Sequence, residues 1–110
     1  MAKPQRFKKF KKDGNVAVLY SPGYGAGWST WGPERDREAM CMDADLVSAL
    51  LNGGRKALRA KAKEKYPDAY DGGLDDLKVG WVPEGSRFEI AEYDGSERIR
   101  VFGDAEGFLA

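Results

Sequence analysis

The chain has 110 residues, 42% of them hydrophobic and 33% charged, which is enough for one core and leaves no room for a second. It has no histidine and a single cysteine, Cys41. That excludes His-based acid–base chemistry, Ser–His and Cys–His dyads, most zinc sites and an internal disulfide framework. The 18 basic and 18 acidic residues balance, but six of the basic ones lie in residues 1–12, where there is no acid. A cationic arm on an acidic body suits nucleic acid or an anionic surface, through Lys8, Lys9, Lys11 and Lys12; it equally suits a solvated terminus or a basic strand lying against the protein itself. Phe7 and Phe10 among these lysines predict that FKKF docks, on this chain or on a partner. No apolar run follows the charges as a secretory signal requires, and none approaches membrane-spanning length, so a cytoplasmic protein is expected.

In chain order, Asn15–Tyr20 (NVAVLY) reads as a strand between Asp13-Gly14 and Ser21-Pro22. Residues 21–33 follow with four glycines, two prolines and the aromatics Tyr24, Trp28 and Trp31, a composition compatible only with a loop. ERDREAM (34–40) fits a short charged helix or an extended connector. Asp43 is an N-cap for a helix with Leu46, Val47, Leu50 and Leu51 on one stripe, ended by Asn52-Gly53-Gly54. A second helix, from about Arg55 to Lys65, carries Leu58, Ala62 and Tyr66 on one side and stops at Pro67. Asp68–Asp76 is an acidic, glycine-containing loop.

The last third predicts three strands. In Leu77–Val82, Leu77, Val79 and Trp81 alternate against Lys78, Gly80 and Val82. In Arg87–Tyr93, Phe88 and Ile90 oppose Glu89, Ala91 and Tyr93. After the Asp94-Gly95 hairpin turn, Glu97–Phe102 sets Ile99 and Val101 against Arg98, Arg100 and Phe102. The expected architecture is α+β: a basic arm (1–14), a single domain (15–104) with a short strand, a Gly/aromatic loop and two helices packed on an antiparallel sheet completed by a C-terminal three-stranded meander, and a tail (105–110) read as loose, with packing of Phe108 and Leu109 as the alternative.

The loop is the main candidate site. Gly23, Gly25 and Gly27 are spaced so that backbone amides can converge on an anion, with Tyr24, Trp28 and Trp31 stacking a ring and Ser29 and Thr30 donating hydrogen bonds. Neither the dinucleotide fingerprint nor the Walker pattern is present. The same composition serves a compact Ω-like scaffold, a ligand pocket or a partner surface. The basic helix 55–65 suits an acidic partner, or a solvated face neutralised by the acidic loop. Asp68, Asp71, Asp75 and Asp76 lack calcium-loop spacing, and turn chemistry explains them. Glu89 and Glu97 are read as paired carboxylates of an exposed sheet face, with Glu92 pointing the other way and Arg87, Arg98 and Arg100 as ion-pair partners. Cys41 is a reactive thiol at a helix start or a small buried hydrophobe.

VLYSPGYGAGWSTW (18–31) and EYDGSE (92–97) resemble small uncharacterised accessory proteins of tailed bacteriophages, which pair an SPGYGAGWSTW-type loop with an EYDGxE hairpin. The resemblance spans most of residues 15–100. It implies action in the bacterial cytoplasm, by binding and disabling a host or defence component or by sequestering a signalling nucleotide. The expectation is thus a non-catalytic binding protein, without cofactor or metal, using Tyr24, Gly25, Gly27, Trp28, Ser29, Thr30 and Trp31 against a host protein. The second expectation is a nucleotide sponge, a homo-oligomer with Arg98 or Arg100 near phosphates.

Overall fold

The computed structural model describes residues 6–23, 25–102 and 107–110. Its organising strand is β2 (Asn15–Tyr20), whose uninterrupted apolar run is explained by burial on both faces. Ala17 and Leu19 enter a core with Trp28, Met40, Leu46, Leu58, Tyr66, Leu74 and Leu77. Val16 and Val18 enter a second core with Cys41, Met42, Val82, Phe88 and Ala110.

Two antiparallel sheets flank this division. The first has the order β1 (Lys11–Lys12), β2, β3 (Lys78–Pro83); the second has β5 (Ser96–Phe102), β4 (Arg87–Tyr93), β6 (Phe108–Leu109). The α+β class and the positions of the C-terminal strands agree with expectation. The pairing differs: β3 leaves the hairpin and runs beside β2, with Val16 opposite Val82 and Tyr20 opposite Lys78. The second sheet takes its third strand from the tail, where Phe108 faces Phe88, and Ala110 exchanges backbone hydrogen bonds with Gly85 and Ser86. The layers are therefore helix, sheet, sheet. Gly80 on β3 marks the sheet–sheet contact, since a side chain there would collide with Ile99 of β5.

The alternation expected in β3 is kept, with a core on each side of the strand. Val79 packs toward the helical core and Val82 is buried toward the second sheet, while Trp81 stays partly exposed against Phe10 at the sheet edge. Asp13-Gly14 and Asp94-Gly95 are two-residue turns with positive φ at both positions, the geometry that matches strand twist. The first folds the basic arm back as β1. The FKKF segment docks on its own chain: Lys8 O accepts from Ala44 N, Phe10 O accepts from Ala17 N, and Lys11 pairs with Glu84.

ERDREAM resolves into a 3-10 turn (Glu34–Asp36) and α1 (Arg37–Met42), which buries Ala39 to Met42 between the two cores. The two expected helices are the halves of α2 (Ala44–Lys65), broken at Gly54 by φ 75° and ψ −167°. Leu46 and Val47 are buried and Leu50 half-buried, but Leu51 is exposed, contrary to the expected stripe. In the second half Leu58, Ala62 and Tyr66 are all buried, as the spacing requires. Among the described residues no helix is long and apolar enough to cross a membrane.

Candidate recognition surface

The polar centre of the molecule is Glu97, which is only 2% exposed. This corrects its placement on an open sheet face. Glu92 and Glu97 are direct cross-strand partners on the inner face of the hairpin, while Glu89 lies on the outer face opposite Arg100. Glu97 shares its face with Ile99, and strand alternation carries its carboxylate inward beneath the Gly/aromatic loop. Oε1 accepts from Ser21 N at 2.9 Å. Oε2 accepts from Trp28 N at 2.8 Å, Thr30 N at 3.1 Å and Thr30 Oγ1 at 2.6 Å. A buried carboxylate requires such donors, and loop amides directed inward require such an acceptor.

Four amides of this segment, those of Ser21, Gly25, Trp28 and Thr30, are thus occupied from within. Gly25 N donates to Asp94 O at 2.8 Å, Ser96 Oγ to Pro22 O at 2.8 Å, and Glu97 N to Ser21 O at 2.7 Å. Gly95, at φ +85°, has no space for a side chain because the backbone of Gly25 and Ala26 lies against it. The two strings 18–31 and 92–97 therefore form one hydrogen-bonded unit.

Within that unit the two tryptophans of the loop have opposite fates. Trp28 is buried, its Nε1 donates to Met40 O at 2.7 Å, and its ring meets Tyr66 edge-on at 6.5 Å. It is core, not a free stacking platform, and Ser29 is buried beside it while Thr30 is committed to Glu97. Gly27 is buried, with Gly73 packed against its carbonyl. Tyr24 lies outside the described residues. Trp31, at the end of the 3-10 turn Ser29–Trp31, is 40% exposed. Its ring centroid is 5.3 Å from that of Tyr70, itself 50% exposed.

Beside this aromatic pair lies a cleft of about 310 Å³ lined by Trp28, Ala62, Tyr66, Pro67, Ala69 and Leu74, with Lys63 and Asp71 as its charged members. Tyr70 sits in sequence between two of the lining residues, Ala69 and Asp71. Sequence reasoning missed Tyr70, Pro67 and Leu74, having read 68–76 only as an acidic loop; the aromatic in DAYDGG was the available signal. That loop meets the basic helix through one residue, Arg59, which pairs with Asp75 and Asp71, whereas Lys61 pairs with Glu64 and Lys65 with Asp43 and Asp45.

Arg98 and Arg100 are not brought to the loop. They lie on the face of β5 opposite to Glu97, where Arg100 pairs with Glu89 at 3.0 Å. Cys41 is wholly buried in the second core; desolvation pushes its thiol far above the ordinary range, which makes it inert as a nucleophile. Among the described residues no group of three or more His, Cys, Asp or Glu side chains is placed to hold a metal.

Tyr66, which lines the cleft, also belongs to a polar cluster at the start and end of α2. Buried Asp43 caps the helix through Oδ1 to Asp45 N at 2.9 Å. Its Oδ2 accepts from Tyr66 OH at 2.6 Å and lies 2.6 Å from Lys65 Nζ. Burial, then the bond to Asp43, pushes the Tyr66 hydroxyl well above its usual range. Burial works against the Lys65 charge, but Asp43 and Asp45 outweigh it and raise the Lys65 value. The Lys65 hydrogen bond and charge hold Asp45 below its ordinary 3.8. Groups with raised values stabilise fully below their unfolded values, here 10.0 and 10.5, and lose that contribution as pH rises through the folded ones. Asp45 contributes above its unfolded value and loses its contribution as pH falls through the lowered one. Stability is therefore expected to decline above about pH 10. In urea unfolding, Tyr66→Phe should shrink the loss between neutral and alkaline pH; an unchanged alkaline loss would remove Tyr66 from the account.

No protein-family model matches the chain, and neither a curated protein nor a solved structure matches it.

Proposed function

We propose that the chain is a non-catalytic binding protein whose recognition surface is the Trp31–Tyr70 pair with the adjoining apolar cleft. The observation that carries the reading is the division of labour in one loop: Glu97 and Trp28 fix the backbone from inside, and Trp31 is left outside against a second exposed aromatic. A held aromatic pair loses little conformational entropy on binding, which is why such residues anchor protein interfaces. The resemblance to tailed-phage accessory proteins directs this reading to a protein of a bacterial host, or of its defence, met in the cytoplasm. The nucleotide-sponge alternative has less support, because the Ser21, Gly25, Trp28 and Thr30 amides are taken and Arg98 and Arg100 lie elsewhere.

The test is quantitative capture from bacterial lysate on the immobilised full chain, beside a Trp31→Ala/Tyr70→Ala variant. Both substitutions are at partly exposed positions, so the variant is expected to remain folded. A stoichiometric partner held by the wild-type chain should fall at least about tenfold in the variant. Equal capture by both would move the site off this surface. A stoichiometric small molecule seen by native mass spectrometry would instead favour the nucleotide reading.

A further inference from the structure

The second sheet is the outermost layer, and its outer face carries the cross-strand pairs Arg87–Phe102, Glu89–Arg100, Ala91–Arg98 and Tyr93–Ser96. Three arginines stand there against one carboxylate, on a chain whose overall charge is zero. Arg100 is held by Glu89 and its guanidinium lies 5.9 Å from the Phe102 ring centroid. Arg98 is exposed, and among the described residues no carboxylate is within ion-pair distance of it. Tyr93 is 77% exposed, the most exposed large apolar side chain among the described residues. Tyr93 and Arg98 share the lining of a hollow of about 190 Å³ with Ala91, Glu92 and Ser96.

We propose that this face binds single-stranded nucleic acid, with a base stacked on Tyr93 in the hollow over Ala91 and the adjoining phosphates against Arg98 and Arg100. Charge complementarity supplies the attraction, and the exposed ring beside the Arg98 guanidinium supplies a platform that every base fits. A duplex fits less well. Its bases are stacked on one another and offer no face to Tyr93. An acidic peptide would meet the arginines but leave the ring without a planar partner. The site lies on the face of β5 opposite to Glu97; it touches the loop only through the Ser96 bond to Pro22 O, and neither Trp31 nor Tyr70 lines it.

The test is fluorescence anisotropy of labelled oligothymidine and oligouridine of about 12 nucleotides, with the full chain at low salt. The expected result is micromolar binding to at least one of them that weakens with salt, the two arms showing whether DNA or RNA is preferred. Tyr93→Ala should weaken binding about tenfold. Arg98→Glu should weaken it at least as much and flatten the salt dependence, while Leu51→Ala, at an exposed position of α2 outside both surfaces, should bind as the wild type does. Four results would overturn the proposal: no anisotropy change at roughly 100 μM protein, a duplex binding as tightly as the single strands, an oligoglutamate peptide binding as tightly, or full affinity in a Tyr93→Ala/Arg98→Glu variant. The last would transfer the binding to the lysines of residues 8–12.

Discussion

Glu97→Ala is expected to lower the unfolding free energy by about 3–5 kcal/mol, measured by urea denaturation at neutral pH. The substitution strands the Ser21, Trp28 and Thr30 amides and the Thr30 hydroxyl, all at positions shielded to some degree from water. Each unsatisfied buried donor costs about 1–3 kcal/mol, and partial hydration after relaxation keeps the total below the sum. Against a typical stability of about 5–15 kcal/mol, that is a large share for one side chain. Glu97→Gln is the finer probe. Its carbonyl oxygen can serve the three donors at the Oε2 position, but its amide nitrogen then faces Ser21 N donor to donor. A loss of about 1–2 kcal/mol is expected. If both variants unfold within 0.5 kcal/mol (about the scatter of a surface substitution) of the wild type, the carboxylate does not hold the loop.

Trp28→Ala should cost about 3–5 kcal/mol, as emptying a large aromatic site in a core does, with the Met40 carbonyl left without its donor. Trp31→Ala, three residues away, should cost under about 1 kcal/mol, because only its contact with Tyr70 and partial burial are lost. The contrast matters more than either value. It separates the tryptophan that builds the loop from the one the loop presents, and it sets Trp31 as the substitution to use in binding experiments. Similar losses from both would mean that Trp31 is also part of the scaffold, and the recognition surface would lose its anchor.

Local chemistry made much of the fold legible. The apolar run 15–20, the glycine break at Gly54, the i, i+4, i+8 stripe of Leu58, Ala62 and Tyr66, and the Asp94-Gly95 turn are each decided by neighbours in sequence, and each forms where its residues predict. The pairing of β3 with β2 joins segments some sixty residues apart, and no local pattern encodes it. The strand at Phe108–Leu109 is two residues long and carries no period to detect. In the loop, composition announced something unusual without saying which aromatic faces in. Only the fold shows that Trp28 enters the helical core while Trp31 stays outside. Glu97 was the more avoidable omission: it has the parity of Ile99 on β5, so alternation already placed an acid among inward-facing residues.

The central claim, that a buried carboxylate closes the Gly/aromatic loop from within, is tested most directly by native-state amide hydrogen exchange. The Ser21, Trp28 and Thr30 amides are expected to exchange as slowly as those of β2, opening only with global unfolding, and to lose that protection selectively in Glu97→Ala. Rapid exchange of these three amides in the wild-type chain, with β2 still protected, would contradict the account. The loop would then open on its own, and its amides would be free to receive an anion.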